Sequence, residues 1–408
     1  MLTVEEARER VLARFQPLSA EAAPLTEALG RVLAEDALAQ ASSPPFANSA
    51  MDGYALRSAD TREATAAAPV RLRLVGAVPA GSVYPGVVGA DEAVRILTGA
   101  PMPDGADAAL QQELTAVADG WVTLSAPVEA GTNVRYAGED ARPGMLLARA
   151  GTELGPAEIA LLAALGVSPV RVTRRPRVAI LATGDELVPV GQPLKAGQIY
   201  NSNTPYLLAA VTRAGAEPTA LGIAPDREDA LRAVLARARE GFDLILTSGG
   251  VSVGDYDLVK QMLNEQGAME FWRVRMRPGK PLAFGTLGET PLLGLPGNPV
   301  SAAVTFELFG RPAIRRMLGA AQVQRPLVEV VLDGEEQRRA ERRHFVRVRL
   351  ASRGGTLVAR ETGGQDSHLI SSLQGATALL IVPEGEGVIR SGEVCQALLL
   401  NDALPWAE

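Results

Sequence analysis

The sequence predicts a multidomain α/β plus β protein, with a central parallel α/β sheet domain, a helical linker domain, a small β domain inserted into that linker domain, and a C-terminal β-barrel-like domain. Three patterns lead there. Strand, loop and helix recur in that order between residues 175 and 321, as in a parallel sheet covered by helices on both faces. After residue 322 the helical signal stops and period-2 alternation takes over. Short β-like runs separated by Gly and Pro clusters fill residues 41–136, bracketed by two helical segments.

The elements follow in order. Thr3 and Glu6 form a capping-box pattern ahead of Val4, Ala7, Val11, Leu12 and Phe15 at helical spacing, and Pro17 ends that helix. A second helix opens at Gly155-Pro156 and stops at Gly166. These place residues 1–40 and 137–174 in one discontinuous domain around the insertion at 41–136, whose strands are Val70–Val75, Val94–Thr98 and Trp121–Leu124. In the 175–321 domain the strand Val178–Thr183 precedes a helix capped by Thr204 with Pro205 at its first position. A helix from Asp226 to Gly241 leads into the apolar run Phe242–Thr247, and Leu292–Leu295 leads through Pro296-Gly-Asn into a helix capped by Asn298. The 322–408 domain alternates in Val328–Leu332, Phe345–Leu350, Leu379–Val382 and from Cys395 onward.

With 408 residues and roughly 150 per domain, two to four domains are expected. Hydrophobic residues at 47% and charged residues at 21% exclude a disordered, collagenous or coiled-coil chain. The net charge of −7 opposes nucleic-acid binding over a broad basic surface, so an anionic ligand needs a local site. One Cys and two His exclude an intramolecular disulfide and a Cys/His metal cage, which leaves oxygen-ligated metals and a reducing compartment. The N-terminus is acidic and helical in character, without an export signal, and no apolar stretch reaches membrane-spanning length; a cytoplasmic location and no membrane partner are expected.

The most informative stretch is Leu246–Asp257, directly after a buried strand. Ser248, Gly249, Gly250, Ser252 and Gly254 would let backbone N–H groups approach an anion, although a tight strand-to-helix connection would use the same residues. Asp255 and Asp257 beside such a cradle imply a bridging cation. Glu186, in Thr183-Gly-Asp-Glu-Leu187, and Asp226 fall on the edge where parallel sheets bind ligands, with a solvated loop acid and a helix cap as their plainer readings. Alternation puts Arg273, Arg275 and Arg277 on one strand face before Lys280, either as an oxyanion site or as a charged edge strand. The same two readings cover the arginines of the last domain, Arg347 and Arg349 among them. Gly297, Asn298 and Ser301 lie in a third loop, read as an anion- or ring-binding loop or as simple helix capping. Asp52, Thr98 and Asp140 sit in polar loops far from these along the chain, which suggests a cleft between domains or subunits.

Taken together these motifs resemble the molybdopterin molybdenumtransferase family, whose animal relative is the C-terminal domain of gephyrin. The resemblance rests on residues 44–55, 138–140, 183–187, 197–203, 248–257, 278–281 and 295–301, seven motifs in the family's order over nearly the whole chain. It implies four structural domains, a homodimer whose clefts use both subunits, and insertion of molybdate into adenylylated molybdopterin with release of AMP, assisted by Mg²⁺. It places catalytic roles on Asp52, Asp140, Glu186, Asp226, Asp255 and Lys280, with Thr98 at a further site position and Mg²⁺ on Asp255 and Glu186. Ser248, Gly249, Gly250, Ser252, Gly254, Arg277, Gly297, Asn298 and Ser301 would hold the pterin nucleotide or the oxyanion. Arg277 stands where Lys is frequent in the family, and Ser371 is left without a role because its surroundings match only loosely. Other cofactor-biosynthesis enzymes are candidate partners. The adenylyltransferase of the preceding step and a non-catalytic scaffold are the competing readings; the sheet insertion and β tail oppose the first, and the retained acids and Lys280 oppose the second.

Overall fold

Thr3 Oγ1 accepts the Glu6 N–H at 3.0 Å while the Glu6 carboxylate accepts the Thr3 N–H at 2.7 Å, so the expected capping box starts the helix Val4–Leu12. In this computed structural model, residues 1–79, 81–224, 233–234, 236–238, 241–249 and 269–401 are described. The helix buries Val4, Ala7 and Val11 in the core of the central sheet, a different core from the one that takes the second helix, Pro156–Ala164.

The central sheet has six strands, in the order Glu217–Ala224, Arg177–Thr183, Leu244–Ser248, Thr290–Leu295, Pro281–Leu287 and Met269–Arg273. The first four are parallel and the last two antiparallel, so the expectation of a parallel sheet holds for only part of it. The cause is local. Only two residues, Gly288 and Glu289, separate Leu287 from its partner Thr290, and a connection that short can join only antiparallel strands; Gly288 supplies the positive φ at the first position of the turn.

Alternation along Arg177–Thr183 divides the apolar residues between two faces. Val178 and Ile180 pack with Leu246, Leu293, Leu207 and Phe306, while Ala179 and Leu181 pack with Ile245, Leu292 and Ala238. Each fully buried Leu or Ile there contributes roughly 1.5–3 kcal/mol by leaving water. The helix Asn203–Arg213 begins one residue before Thr204, and its cap is not the one the sequence suggested: the Asn201 carboxamide accepts the Thr204 N–H at 3.1 Å and donates to the Thr204 hydroxyl at 2.9 Å. Pro205 then lies in the first turn, where its missing N–H costs nothing.

The arginine run does not form one strand. Met269–Arg273 is the edge of the central sheet, whereas Met276–Arg277 pairs in parallel with Arg343–His344 of the C-terminal sheet. Between them Leu2 is inserted, accepting the Arg275 N–H at 2.8 Å and donating to the Arg273 carbonyl at 2.9 Å. The burial alternation survives the transfer, with Val274 and Met276 buried.

In the C-terminal sheet Arg343–Arg353, Thr356–Glu361, Leu327–Leu332, Val394–Leu399 and Ala378–Val382 pair in sequence, and the last pairs again with the first. The ring is closed around Val330, Leu332, Val346, Val348 and Leu380. The insertion folds as a second six-stranded sheet, ordered Ala108–Gln111, Gly53–Leu56, Glu92–Ile96, Val70–Val78, Trp121–Leu124 and Ala116–Ala118. The region expected to be a helical linker is mixed instead: Ala20–Ala23 pairs with Val170–Thr173 and Ala37–Leu38 with Leu146–Ala148, and the helix Pro156–Ala164 packs on that core through Leu162. No helix among the described residues is long and apolar enough to cross a membrane.

Candidate functional site

Ala182 pairs with Ser248 and Ser248 with Leu295, so three neighbouring parallel strands release their loops at the same level. Asn203, at the start of its helix, joins two of these loops: its amide nitrogen donates to Ser248 Oγ at 2.6 Å and to the Gly297 carbonyl at 2.8 Å. Ser248 is 2% exposed, so its hydroxyl is held in place and not dispersed into solvent. Gly249 takes φ +93°, and a Cβ there would lie 2.8 Å from the Thr183 carbonyl oxygen; a Cβ on Gly297 would come 3.7 Å from the Gly249 Cα. Bare backbone therefore faces bare backbone, as an anion cradle requires. Glu186 stands exposed at the rim, its carboxylate folded back against Gly184. A largely apolar cavity of about 550 Å³ opens beside the cradle, lined by Gly184, Asp185, Leu187, Asn201, Thr204 and Ile223.

The Asn298 loop corrects the plain capping reading. Asn298 holds the N-cap position of the helix Pro299–Thr305, yet its side chain makes no cap bond and donates to Ser367 Oγ at 3.0 Å. Ser367 also accepts the Val300 N–H through its carbonyl at 3.3 Å, and its neighbour Asp366 pairs with Arg277 at 3.2 Å. The C-terminal domain thus reaches over the loops of the central sheet. Gly279, at φ +97°, packs so closely on Pro299–Thr305 that a Cβ would lie 2.5 Å from Thr305 Oγ1 and 3.6 Å from the carbonyl oxygen of the buried Ser301. That contact seats half-buried Lys280 beside the same helix.

Glu186, Ser248, Gly249, Arg277, Lys280, Gly297, Asn298 and Ser301 are thus gathered at one edge. Asp226, Gly250, Ser252, Gly254 and Asp255 lie outside the described residues. Asp52 and Thr98 form a separate unit on the inserted sheet. One Asp52 oxygen accepts both the Thr98 N–H and the Thr98 hydroxyl, each at 2.7 Å, and these bonds, the backbone one foremost, hold the carboxyl below its ordinary range. Asp140 is exposed on the loop whose backbone bonds to Ser43. Among the described residues, no hydrogen bond or ion pair joins Asp52, Thr98 or Asp140 to the central edge.

Sequence reasoning missed Asn203, Ser367 and Arg347. Asn203 closes one of the recognised motifs, but its two acceptors lie 45 and 94 residues away. Arg347, open in the sequence as an oxyanion group or as a charge on an edge strand, is 0% exposed, and the sequence does not foresee its burial. Loop 363–372 closes over it, with Ser372 Oγ accepting from its Nε at 3.0 Å and the Gly364 and Asp366 carbonyls accepting from Nη2 at 3.2 and 3.3 Å.

Fold and site define a multidomain α/β and β protein whose polar loops gather where the parallel strands of the central sheet end. Three family profiles match in order: the MoeA N-terminal region (domain I and II) over residues 2–166, a probable molybdopterin binding domain over 179–316, and the MoeA C-terminal region (domain IV) over 329–400. The chain is 36% identical over 400 residues to the molybdopterin molybdenumtransferase of Haemophilus influenzae, covering 96% of this chain and 97% of that one. It is 41% identical over 380 residues to the enzyme of the same name from Nostoc, covering 91% and 87%. A solved molybdopterin biosynthesis MoeA protein from Pyrococcus horikosii superposes with a TM-score of 0.85 at 33% identity, covering 99% of this chain and all of that one. The chain belongs to the molybdopterin molybdenumtransferase family, the MoeA proteins, which are transferases of molybdenum cofactor biosynthesis.

Proposed function

We propose that this chain inserts molybdate into adenylylated molybdopterin and releases AMP. The observation that carries the reading is the pair of hydrogen bonds that Asn203 donates to Ser248 and Gly297, which fixes two bare-backbone loops beside the Pro-Gly-Lys turn. The cradle receives the phosphate of the nucleotide half, and the apolar cavity next to it suits a flat ring. Arg277 and Lys280 attract the oxyanion and offset its charge; the planar Arg277 fork binds two oxygens at once.

Mg²⁺ is commonly held by one or two carboxylates together with substrate phosphates, and Glu186 at the cradle rim is a donor of that kind, with Asp255 as the second by family resemblance. Bound there, the ion would neutralise phosphate charge. Among the described residues, no hydrogen bond or ion pair links Asp52, Thr98 or Asp140 to the central edge. In our reading a second copy brings them to it, so the working form is a homodimer, located in the cytoplasm, with other cofactor-biosynthesis enzymes as candidate partners.

The test is incubation of the purified chain with adenylylated molybdopterin and either molybdate or tungstate, following AMP. Release that depends on the oxyanion is expected. No AMP release with either oxyanion would move the chain to a non-catalytic scaffold, and pyrophosphate release from ATP and molybdopterin would move it to the adenylyltransferase.

A further inference from the structure

On the outer face of the C-terminal barrel a concavity of about 290 Å³, sharing no lining residue with the cavity beside the cradle, is lined by Arg349, Arg353, Arg360, Asp333, Glu361 and Thr362, among others. Its charges are not arranged as a stable surface would arrange them. Arg349 and Arg360 are directly opposed across the antiparallel strands Arg343–Arg353 and Thr356–Glu361, a like-charge pairing that costs free energy. Asp333 is the one carboxylate within ion-pair distance of the three arginines among the described residues, at 2.7 Å from Arg360 and 3.5 Å from Arg353. Arg349 donates to the Gly375 carbonyl at 3.4 Å and has no carboxylate partner among the described residues.

Gly375 also shows how Arg349 is held. Its φ is +75°, and a Cβ there would lie 2.2 Å from Arg349 Nη2, so bare backbone lets the guanidinium lie flat on the turn and face the concavity. Three guanidinium groups against Asp333 and Glu361 leave one positive charge in excess, in a chain whose net charge is −7. Glu361, at the end of the concavity, hydrogen-bonds to Glu336. A tetrahedral anion with several oxygens would offset this excess and accept forked N–H pairs from more than one arginine.

We propose that Arg349, Arg353 and Arg360 form a second oxyanion site, for a tetrahedral anion of the phosphate type, distinct from the cradle on the central sheet. The site requires neither the pterin reaction nor the Lys280 turn.

The experiment is calorimetric titration of the full chain with inorganic phosphate, using Lys280→Ala as background so that the cradle side is weakened. Saturable phosphate binding to Lys280→Ala is expected, and adding Arg349→Gln with Arg360→Gln should weaken it by about tenfold or more. Absence of saturable binding to Lys280→Ala, or unchanged affinity in the triple variant, overturns the proposal. A measurement on the unsubstituted chain guards against a misfolded variant: phosphate should protect Arg349, Arg353 and Arg360 from phenylglyoxal, mapped by mass spectrometry, and equal modification with and without phosphate also overturns it. AMP run in parallel separates the sources, since protection by AMP at the same arginines assigns the site to phosphate esters and protection by phosphate alone assigns it to the free oxyanion.

Discussion

At the carboxyl edge of the central sheet, Ser248 and Gly297 share one neutral donor, Asn203, and the charged Glu186 stands in water. Inside and beneath the C-terminal barrel the opposite holds: Glu336, His344 and Arg347 are 6%, 5% and 0% exposed, and each keeps a buried polar atom without a partner. The first region avoids the cost of burying charge by using backbone and amide groups, so its polar atoms are pre-set at little expense. The second bears that cost, and its groups shift their protonation instead. The difference teaches where substitutions should act on chemistry and where they should act on folding.

The sharpest way to break this contrast is Gly249→Val. At φ +93° with the Thr183 carbonyl close by, the substitution costs about 1–3 kcal/mol of strain and fills the cradle, so AMP release should fall about a hundredfold or more. A variant with near-normal turnover would remove the cradle from the mechanism. Next comes Asn203→Ala, which loses two hydrogen bonds worth about 2 kcal/mol of folding stability together, so the thermal midpoint should fall by a few degrees and, with the two loops released, kcat/KM by about tenfold. A large fall in the midpoint with normal kcat/KM would instead make Asn203 structural. Lys280→Ala should raise the molybdate concentration needed for half-maximal rate by about tenfold, and an unchanged requirement would count against an oxyanion role.

The smallest effect belongs to the barrel and appears in stability against pH. Burial first, then the hydrogen bond with Glu361, pushes the Glu336 carboxyl up to about 8, so the folded chain keeps a proton that the unfolded chain gives up near 4.5. That contribution is complete below about 4.5 and falls as pH rises toward 8. For His344, burial and then the nearby Arg277 and Arg347 lower the pKa to about 4 from 6.5, so its contribution is complete above 6.5 and is lost as pH falls toward 4. The two slopes oppose each other between about 4.5 and 6.5, and only the Glu336 slope remains from 6.5 to 8. Glu336→Gln should flatten denaturant stability across that upper window by at most about one proton, or 1.4 kcal/mol per pH unit. An identical decline in the variant would assign it elsewhere.

Much of this was legible in the sequence because it is local. The capping box at Thr3 and Glu6, Pro299 at the first helical position, and the alternation of Val328–Leu332 and Leu379–Val382 each depend on residues a few places apart. What was not legible depends on distance along the chain. Asn298 looked like a cap because nothing nearby showed that Ser367 would draw its side chain away. The burial of Arg347 left no local sign because the loop that covers it comes some 17–25 residues later. The arginine run looked like one strand because the insertion of Leu2, more than 270 residues upstream, leaves no trace in local pattern. Among the candidate residues, Asp52, Thr98 and Asp140 were set apart from the central loops by distance along the chain, whereas the bonds of Asn203 that join two of those loops span 45 and 94 residues and left no local sign.

The passage of residues 273–277 from one sheet to the other has a consequence for insertions and deletions. Side chains there alternate with period two, and both registers are pinned, Arg273 against Pro281 and Arg277 against His344. One residue added between these anchors would turn over every side chain up to one of them, exposing Met276 or burying a guanidinium. The cation turn is therefore indexed by counting residues, and a change of length by one in this short span would uncouple Lys280 from the helix that seats it while every motif remained intact.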